Sequence, residues 1–313
     1  MSKNVPCRKA FTARITELAR KNPDIIVVTS DARGSVTLDQ YAEELPDQFV
    51  EVGIAEQNEI GIAAGMATFG KQVFVCAPAC FLSARSLEQI KVDVAYTGTN
   101  VKIVGISGGI SYGALGYSHH SLHDIAVMRT FPEFAVILPS DQHQTVAITD
   151  WMSTNSKTAY IRMGRGAVPD VYEGSEGSFQ FGKANTLRQG TDLTMIATGE
   201  MVKKAVDAAD QLASEGVLAR VLDMHTIKPI DREAILSAAR ETGAIITVEE
   251  HSIFGGLGGA VAEIVVQEEP VPMRILGIPD EFTVVGESAD VFAYYGLTPA
   301  GLAKEARAIQ KRK

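Results

Sequence analysis

Glu56 stands at the mouth of a helical stretch otherwise built from small and aliphatic residues, within Val52–Gly70 (VGIAEQNEIGIAAGMATFG). Burying a charged group in such surroundings is costly, so the usual relief is a strong hydrogen-bond partner or a raised pKa. A carboxyl poised to share a proton is what thiamine diphosphate chemistry needs. The aminopyrimidine of that cofactor must be protonated at a ring nitrogen before its amino group can act as a base. The plainer alternative is a first-turn Glu that complements the helix dipole. Glu59, one turn on, is expected on a wetter face or in a local pair.

Two further clusters carry chemistry. Gly105–Gly116 (GISGGISYGALG) follows an apolar strand and holds five glycines, which let backbone approach a ligand or take positive φ. Neither GxGxxG nor GxxxxGK[ST] occurs, so nucleotide-binding fingerprints are not supported. The stretch Gly116–Arg129 (GYSHHSLHDIAVMR) places His119, His120 and His123 close together. Metal ligation would need a convergent carboxylate or an HExxH pattern, and neither is present. A histidine that moves protons on substrate oxygens suits His119, because imidazole titrates near working pH. For His120 and His123, structural hydrogen bonding is the expectation.

The elements that position these residues alternate between short apolar runs and helical stretches, which points to parallel α/β architecture. Strands are expected over Asp24–Thr29, Gln72–Cys76, Val101–Ile106, Ala135–Leu138 and Thr158–Arg162. Helices are expected around Ala10–Lys21, Glu56–Phe69, Ala84–Tyr96 and Ser140–Ser153. The glycine-rich passage Gly164–Gly182 reads as a boundary. A second α/β block follows, with strands near Leu193–Thr198, Ala219–Asp223, Ala244–Glu249 and Arg274–Gly277. The predicted division is a first domain over 1–172, a linker over 173–187 and a second domain over 188–313. In the second, the glycine run Gly255–Gly259 reads as close helix–strand packing.

At 313 residues, with 46% hydrophobic and 21% charged side chains, the chain can bury a large core in two domains. A net charge of −9 argues against a nucleic-acid partner. Cys7, Cys76 and Cys80 make neither a disulfide framework nor a zinc site. There is no apolar leader and no run approaches a membrane span, so a soluble, cytoplasmic protein without a membrane partner is expected.

The ordered blocks GIAEQN, FLSAR, GYSHH, LPSD and RMGRG resemble the pyrimidine-binding domain of the transketolase family. The later blocks DLTMIATGEMV, DMHTIKPID, ITVEEHSIFGGLGG and LGIPDEF resemble its C-terminal domain. Deoxyxylulose-5-phosphate synthases share these blocks, and the beta subunits of 2-oxoacid dehydrogenases are more distant. The GDG motif that marks the family's magnesium and diphosphate domain does not occur. The resemblance therefore implies the C-terminal half of a split transketolase, with thiamine diphosphate and Mg2+ held mainly by an N-terminal partner subunit. Self-dimerisation within a heterotetramer follows from the same resemblance.

By position, the resemblance assigns Glu56 to the pyrimidine ring nitrogen, Phe81 to stacking on that ring and Asp31 to a place beside the cofactor. It assigns His119 to the substrate's reacting oxygens, and Arg8, Ser35 and Arg165 to a sugar phosphate. Two guanidinium forks and a hydroxyl suit a terminal phosphate. Two positions depart from the family pattern. Leu115 replaces an aspartate that contacts a donor hydroxyl, and Ser107 replaces a histidine. Losing a hydrogen-bonding acid weakens discrimination for an ordinary ketose hydroxyl. The expected substrate is a phosphosugar outside the usual set, branched or lacking that hydroxyl, in a two-carbon ketol transfer. The alternatives are a deoxyxylulose phosphate synthase half, a 2-oxoacid dehydrogenase beta-like subunit, or a non-catalytic subunit.

Overall fold

Strands that read as unbroken apolar runs belong in parallel sheets covered on both faces, because crossover helices pack on each side. The computed structural model, which describes residues 4–313, has this arrangement twice. In the first sheet, β1 (Ile25–Thr29), β2 (Phe49–Glu51), β3 (Gln72–Pro78), β4 (Val101–Ile106), β5 (Ala135–Ile137) and β6 (Ala159–Met163) run parallel. All but β2 are buried along their whole length. The second sheet is built from β7 (Asn185–Arg188), β8 (Leu193–Ala197), β9 (Ala219–Asp223), β11 (Ile245–Ser252) and β12 (Met273–Ile278). Between β9 and β11 the chain returns to the first sheet, where β10 (Thr226–Lys228) pairs antiparallel with β5.

That return stitches the two blocks together, and so does strand β7. It begins inside the segment 173–187 expected as linker and pairs antiparallel with β9. One apolar cluster runs from the first sheet through Leu222, Met224, Ile227, Leu257 and Val261 of the second block. The two blocks thus share a strand pairing and an apolar cluster across their seam.

The expected helix over Ala84–Tyr96 is instead a series. A helix at Ala79–Arg85 is followed by a single turn at Leu87–Gln89 and a π-helical stretch at Ile90–Tyr96. Ser83 donates to the Ala79 carbonyl at 2.6 Å and Ser86 to the Leu82 carbonyl at 2.7 Å. Such back-bonding slightly weakens and bends a helix. The earlier start matters for the site: Phe81 and Arg85 now lie one turn apart on a single helix.

Strand order locates the crevices. The first sheet is ordered β10-β5-β6-β4-β3-β1-β2. The chain leaves β1 for β2 on one side, then crosses to β3 on the other. The carboxyl ends of β1 and β3 therefore form a topological switch point, where open α/β sheets bind ligands. The second sheet is ordered β12-β11-β8-β9-β7, and its switch point lies between β8 and β11.

Candidate functional site

At the first switch point, Asp31 follows two residues after the end of β1 and takes φ 53°, and β3 runs straight into the helix that carries Phe81. Strand β2 ends at Glu51, whose Oε1 accepts the backbone N–H groups of Asp31 (2.7 Å) and Gly53 (2.9 Å). Gly53, at φ 72°, turns the chain into the helix Glu56–Thr68. That helix buries Glu56, Glu59, Ile60, Ala63 and Ala64, one stripe at helical spacing. Glu56 is only 5% exposed, and Arg85 Nη1 donates to its Oε1 at 2.7 Å. The relief expected for this buried carboxylate is thus a charged partner. The Arg85 guanidinium also lies 4.2 Å over the Phe81 ring.

The edge of Phe81 meets His119, with ring centroids 5.3 Å apart, and His119 meets Tyr112 at 5.4 Å. Ser118 Oγ lies 3.0 Å from His119 Nδ1, which fixes the ring and leaves Nε2 as its free face. Tyr112 lies under the guanidinium of Arg165 at 5.2 Å, and Arg8 donates from Nε to the Arg165 carbonyl at 3.1 Å. Arg8 also donates from Nη1 to the Ser35 carbonyl at 2.5 Å. The seven predicted residues are therefore drawn to one edge, and six join in a single string of contacts. Asp31 stands apart from the string, its backbone N–H bonded to Glu51, and Ser35 contributes a carbonyl contact to Arg8.

The arginine end has the electrostatics of an anion site. Burial, reinforced by the like charge of Arg165, holds the Arg8 guanidinium below its ordinary pKa. Arg165 keeps a buried Nη1 with no hydrogen-bond partner. Two converging guanidiniums and an orphan donor favour a dianion such as a phosphate.

Several features were not legible beforehand. Glu59 is fully buried with both oxygens unpartnered, the reverse of the wet or locally paired position expected for it. Burial pushes its pKa up to about 8, with Glu56 and Glu51 adding to the rise. The i, i+3 spacing from Glu56 was the available signal. Arg85 and Tyr112 were also missed, although Arg85 stands one helical turn after Phe81. Ser107 sits at the end of β4 with φ 59° and a buried, unpartnered Oγ. Strain in a non-glycine residue is common beside working sites.

Of the glycines in the 105–116 loop, Gly109, Gly113 and Gly116 take the positive φ expected as one use for them. A Cβ on Gly108 would collide with Arg162, and one on Gly109 with Glu250. Gly108 thus makes room for a side chain of the same sheet, and Gly109 for one from across the seam between the sheets. His120 is held by Thr283 Oγ1 (2.6 Å) and the Gly113 carbonyl (3.1 Å), and His123 lies 3.1 Å from Ser83 Oγ. Leu115 is 54% exposed and lines a cleft of about 790 Å³ together with Tyr112 and Arg165. A second cleft, of about 860 Å³, is lined by Phe81, Arg85, Tyr117, Ser118 and Phe282.

Comparison with known proteins gives matches over nearly the whole chain. Residues 3–170 match the transketolase pyrimidine-binding domain, and residues 182–302 match the transketolase C-terminal domain. The chain is 58% identical to one of the subunits of the apulose-4-phosphate transketolase of Phocaeicola vulgatus, over 98% of each. It is 38% identical to a 6-deoxy-6-sulfo-D-fructose transketolase subunit of a Clostridium species, over 98% of this chain and 95% of that one. With the 1-deoxy-D-xylulose-5-phosphate synthase of Heliobacterium modesticaldum it shares 34% identity, spanning 96% of itself but only 46% of that enzyme. Among solved structures, a split gene transketolase described as an inactive beta4 tetramer superposes with a TM-score of 0.88, at 37% identity and 99% coverage of both chains.

Proposed function

The chain belongs to the transketolase family, and on that premise we propose that it is the pyrimidine-side subunit of a split transketolase whose donor is a branched ketose phosphate of the apulose 4-phosphate type. The observation that carries this reading is the string from Glu56 and Phe81 through His119 to Arg165 and Arg8. It joins a proton-holding, aromatic end to an anion-holding end, which is what a phosphorylated ketose substrate and a pyrimidine cofactor require together.

Thiamine diphosphate, when bound, supplies the electron sink for cleaving the carbon–carbon bond beside a ketose carbonyl. The residues present fit its pyrimidine end: a buried carboxylate, an aromatic face and a cleft adjoin one another. Glu56 holds and returns a proton at the ring nitrogen, and Phe81 packs on the ring. Asp31 lies at the β1 end of the same crevice. His119 orients the substrate's reacting oxygens and moves a proton through Nε2, its Nδ1 being held by Ser118. Arg8 and Arg165 grip the phosphate, and Ser35 shapes the loop against Arg8.

Magnesium and the diphosphate contacts are assigned to the partner subunit. Among the described residues, no group of three or more His, Cys, Asp or Glu is arranged to hold a metal ion. Ile54, Tyr117, Phe254 and Phe282 expose apolar surface on this chain, which suits burial in a heterotetramer with two copies of each subunit. Among the described residues no helix is long and apolar enough to cross a membrane, and the proposed location is cytoplasmic.

The exposed Leu115 at the rim of the arginine cleft, together with the relatives' atypical substrates, supports an unusual donor. The test is reconstitution with the partner subunit, followed by a donor screen at fixed acceptor. Preference for apulose 4-phosphate supports the reading, and xylulose 5-phosphate as best donor by a wide margin overturns it. Pyruvate consumption with carbon dioxide release would instead place the chain with its deoxyxylulose phosphate synthase relatives.

A further inference from the structure

Glu56 and Phe81, the two residues given pyrimidine roles above, are both engaged by one side chain. Arg85 donates from Nη1 to Glu56 Oε1 at 2.7 Å while its guanidinium carbon lies 4.2 Å from the centre of the Phe81 ring. A guanidinium is flat, delocalised and ringed with N–H donors. It bonds a carboxylate along its edge and stacks on an aromatic ring through its face. An aminopyrimidine presents the same pair of surfaces: a planar ring, and an edge that shares a proton with a carboxylate. Both groups therefore compete for the same carboxylate and the same aromatic face.

We propose that Arg85 is the subunit's own occupant of the pyrimidine position, displaced when the cofactor binds, so that its hold on Glu56 and Phe81 sets the affinity of the assembled enzyme for thiamine diphosphate. This rests on the thiamine reading of the site. Three features support it. First, Glu56 is buried, and a buried carboxylate without a counter-charge is strongly destabilising, so a stand-in cation preserves the empty subunit. Second, Arg85 occupies the last turn of the helix Ala79–Arg85 and its side chain is 49% exposed. It borders the 860 Å³ cleft beside Tyr117, Ser118 and Phe282, so it has room to swing aside. Third, Glu56 exchanges the guanidinium for the edge of the cofactor's ring, so its buried charge stays partnered, and what is lost is the contact of a half-exposed arginine with it and one cation–π contact. Together they amount to about tenfold in cofactor affinity.

The experiment titrates thiamine diphosphate with magnesium into the reconstituted two-subunit complex by calorimetry, comparing the wild type with Arg85→Met, Arg85→Gln and Arg85→Lys. The methionine and glutamine variants are expected to bind about tenfold tighter, since neither restores the charged, stacked occupant. The lysine variant should fall between, because an ammonium can pair with Glu56 but cannot lie flat on Phe81. On the full chain alone, the pyrimidine fragment 4-amino-5-hydroxymethyl-2-methylpyrimidine should bind more tightly to Arg85→Met by ligand-observed NMR. The same variant should melt below the wild type. Wild-type binding with Arg85→Met equal or weaker overturns the proposal and leaves the functional reading standing. No thiamine diphosphate binding by any complex overturns both.

Discussion

At the β1/β3 switch point the strand ends present Asp31, Glu56 and Phe81 beside a cleft, whereas at the β8/β11 switch point, although Glu200 and Ser252 also line clefts, the charged groups at the end of β11 are tied to the rest of the chain. There Glu250 accepts the Ile110 N–H at 2.7 Å, and Arg162 reaches from β6 to the Glu250 carbonyl at 2.6 Å. Arg162 also pairs with Asp124, Nε to Oδ2 at 3.2 Å, and Tyr160 donates to that carboxylate at 2.6 Å. The anion-favouring N-terminus of the helix Leu257–Glu268 is filled by Glu249, which accepts from Leu257 and Gly258 at 2.7 and 2.8 Å. Burial raises Glu249 to about 7 and lowers His251 to about 4. The second crevice thus uses the ligand-binding geometry of its fold to bind the first block of the chain. Charged groups at a strand edge mark a site only where they remain accessible.

If this contrast is right, substitutions at the two edges should fail differently. Glu56→Gln should lower turnover by more than about 100-fold while the melting temperature stays close to wild type. Full activity in that variant, in a steady-state transfer assay, would falsify the role of the open edge. Arg162→Met, at the closed edge, should cost about 3–5 kcal/mol of stability by stranding Asp124 and Glu250. Denaturant unfolding would show this, and the surviving folded fraction should keep its specific activity. Loss of activity without loss of stability would mean that the closed edge takes part in chemistry after all.

Arg165→Ala should raise KM for a phosphorylated donor by about tenfold or more, through loss of a charge-assisted contact, with kcat little changed. An equal effect on a non-phosphorylated donor would remove the phosphate assignment. The smallest effect is expected at Glu59→Gln and is a dependence on pH. The Glu59 carboxyl titrates at about 8 in the folded chain, against a reference of 4.5. Between those values the folded form keeps a proton that the unfolded form has shed, so Glu59 makes stability fall as pH rises. Thermal melts from pH 5 to 8.5 should therefore decline less steeply for the Gln variant, and parallel curves would mean that Glu59 has another partner.

Much of the architecture was legible because periodicity and apolar runs are local. β1, β4 and the start of the Glu56 helix lie where the sequence pattern puts them. β2, β7 and β10 are three or four residues long, too short for a pattern to rise above noise, and β10 owes its existence to β5 across the domain seam. The helix carrying Phe81 was misplaced because strand β3 runs into it without a connecting loop, so the apolar run of the strand hides where the helix starts. In the site, the family resemblance singled out Glu56, Phe81, His119, Arg8 and Arg165, and the fold brings them into one string of contacts. In the glycine loop the positive φ of Gly109, Gly113 and Gly116 was legible, but the neighbours that Gly108 and Gly109 make room for were not, since a ligand and a side chain of the protein need the same residue beside them.

By itself, the amino-acid sequence determined the parallel α/β class and an acid at the mouth of an apolar helix, while its resemblance to the transketolase family singled out the aromatic, the histidine and the arginines. These follow from residue type and spacing, which survive in one dimension. Only the tertiary structure decided which switch point ties its charged groups to the rest of the chain, that Glu59 is buried beside Glu56, and that Arg85 lies on both Glu56 and Phe81. Each of those depends on burial and on contacts between segments, and desolvation is set by what the whole fold packs around a group.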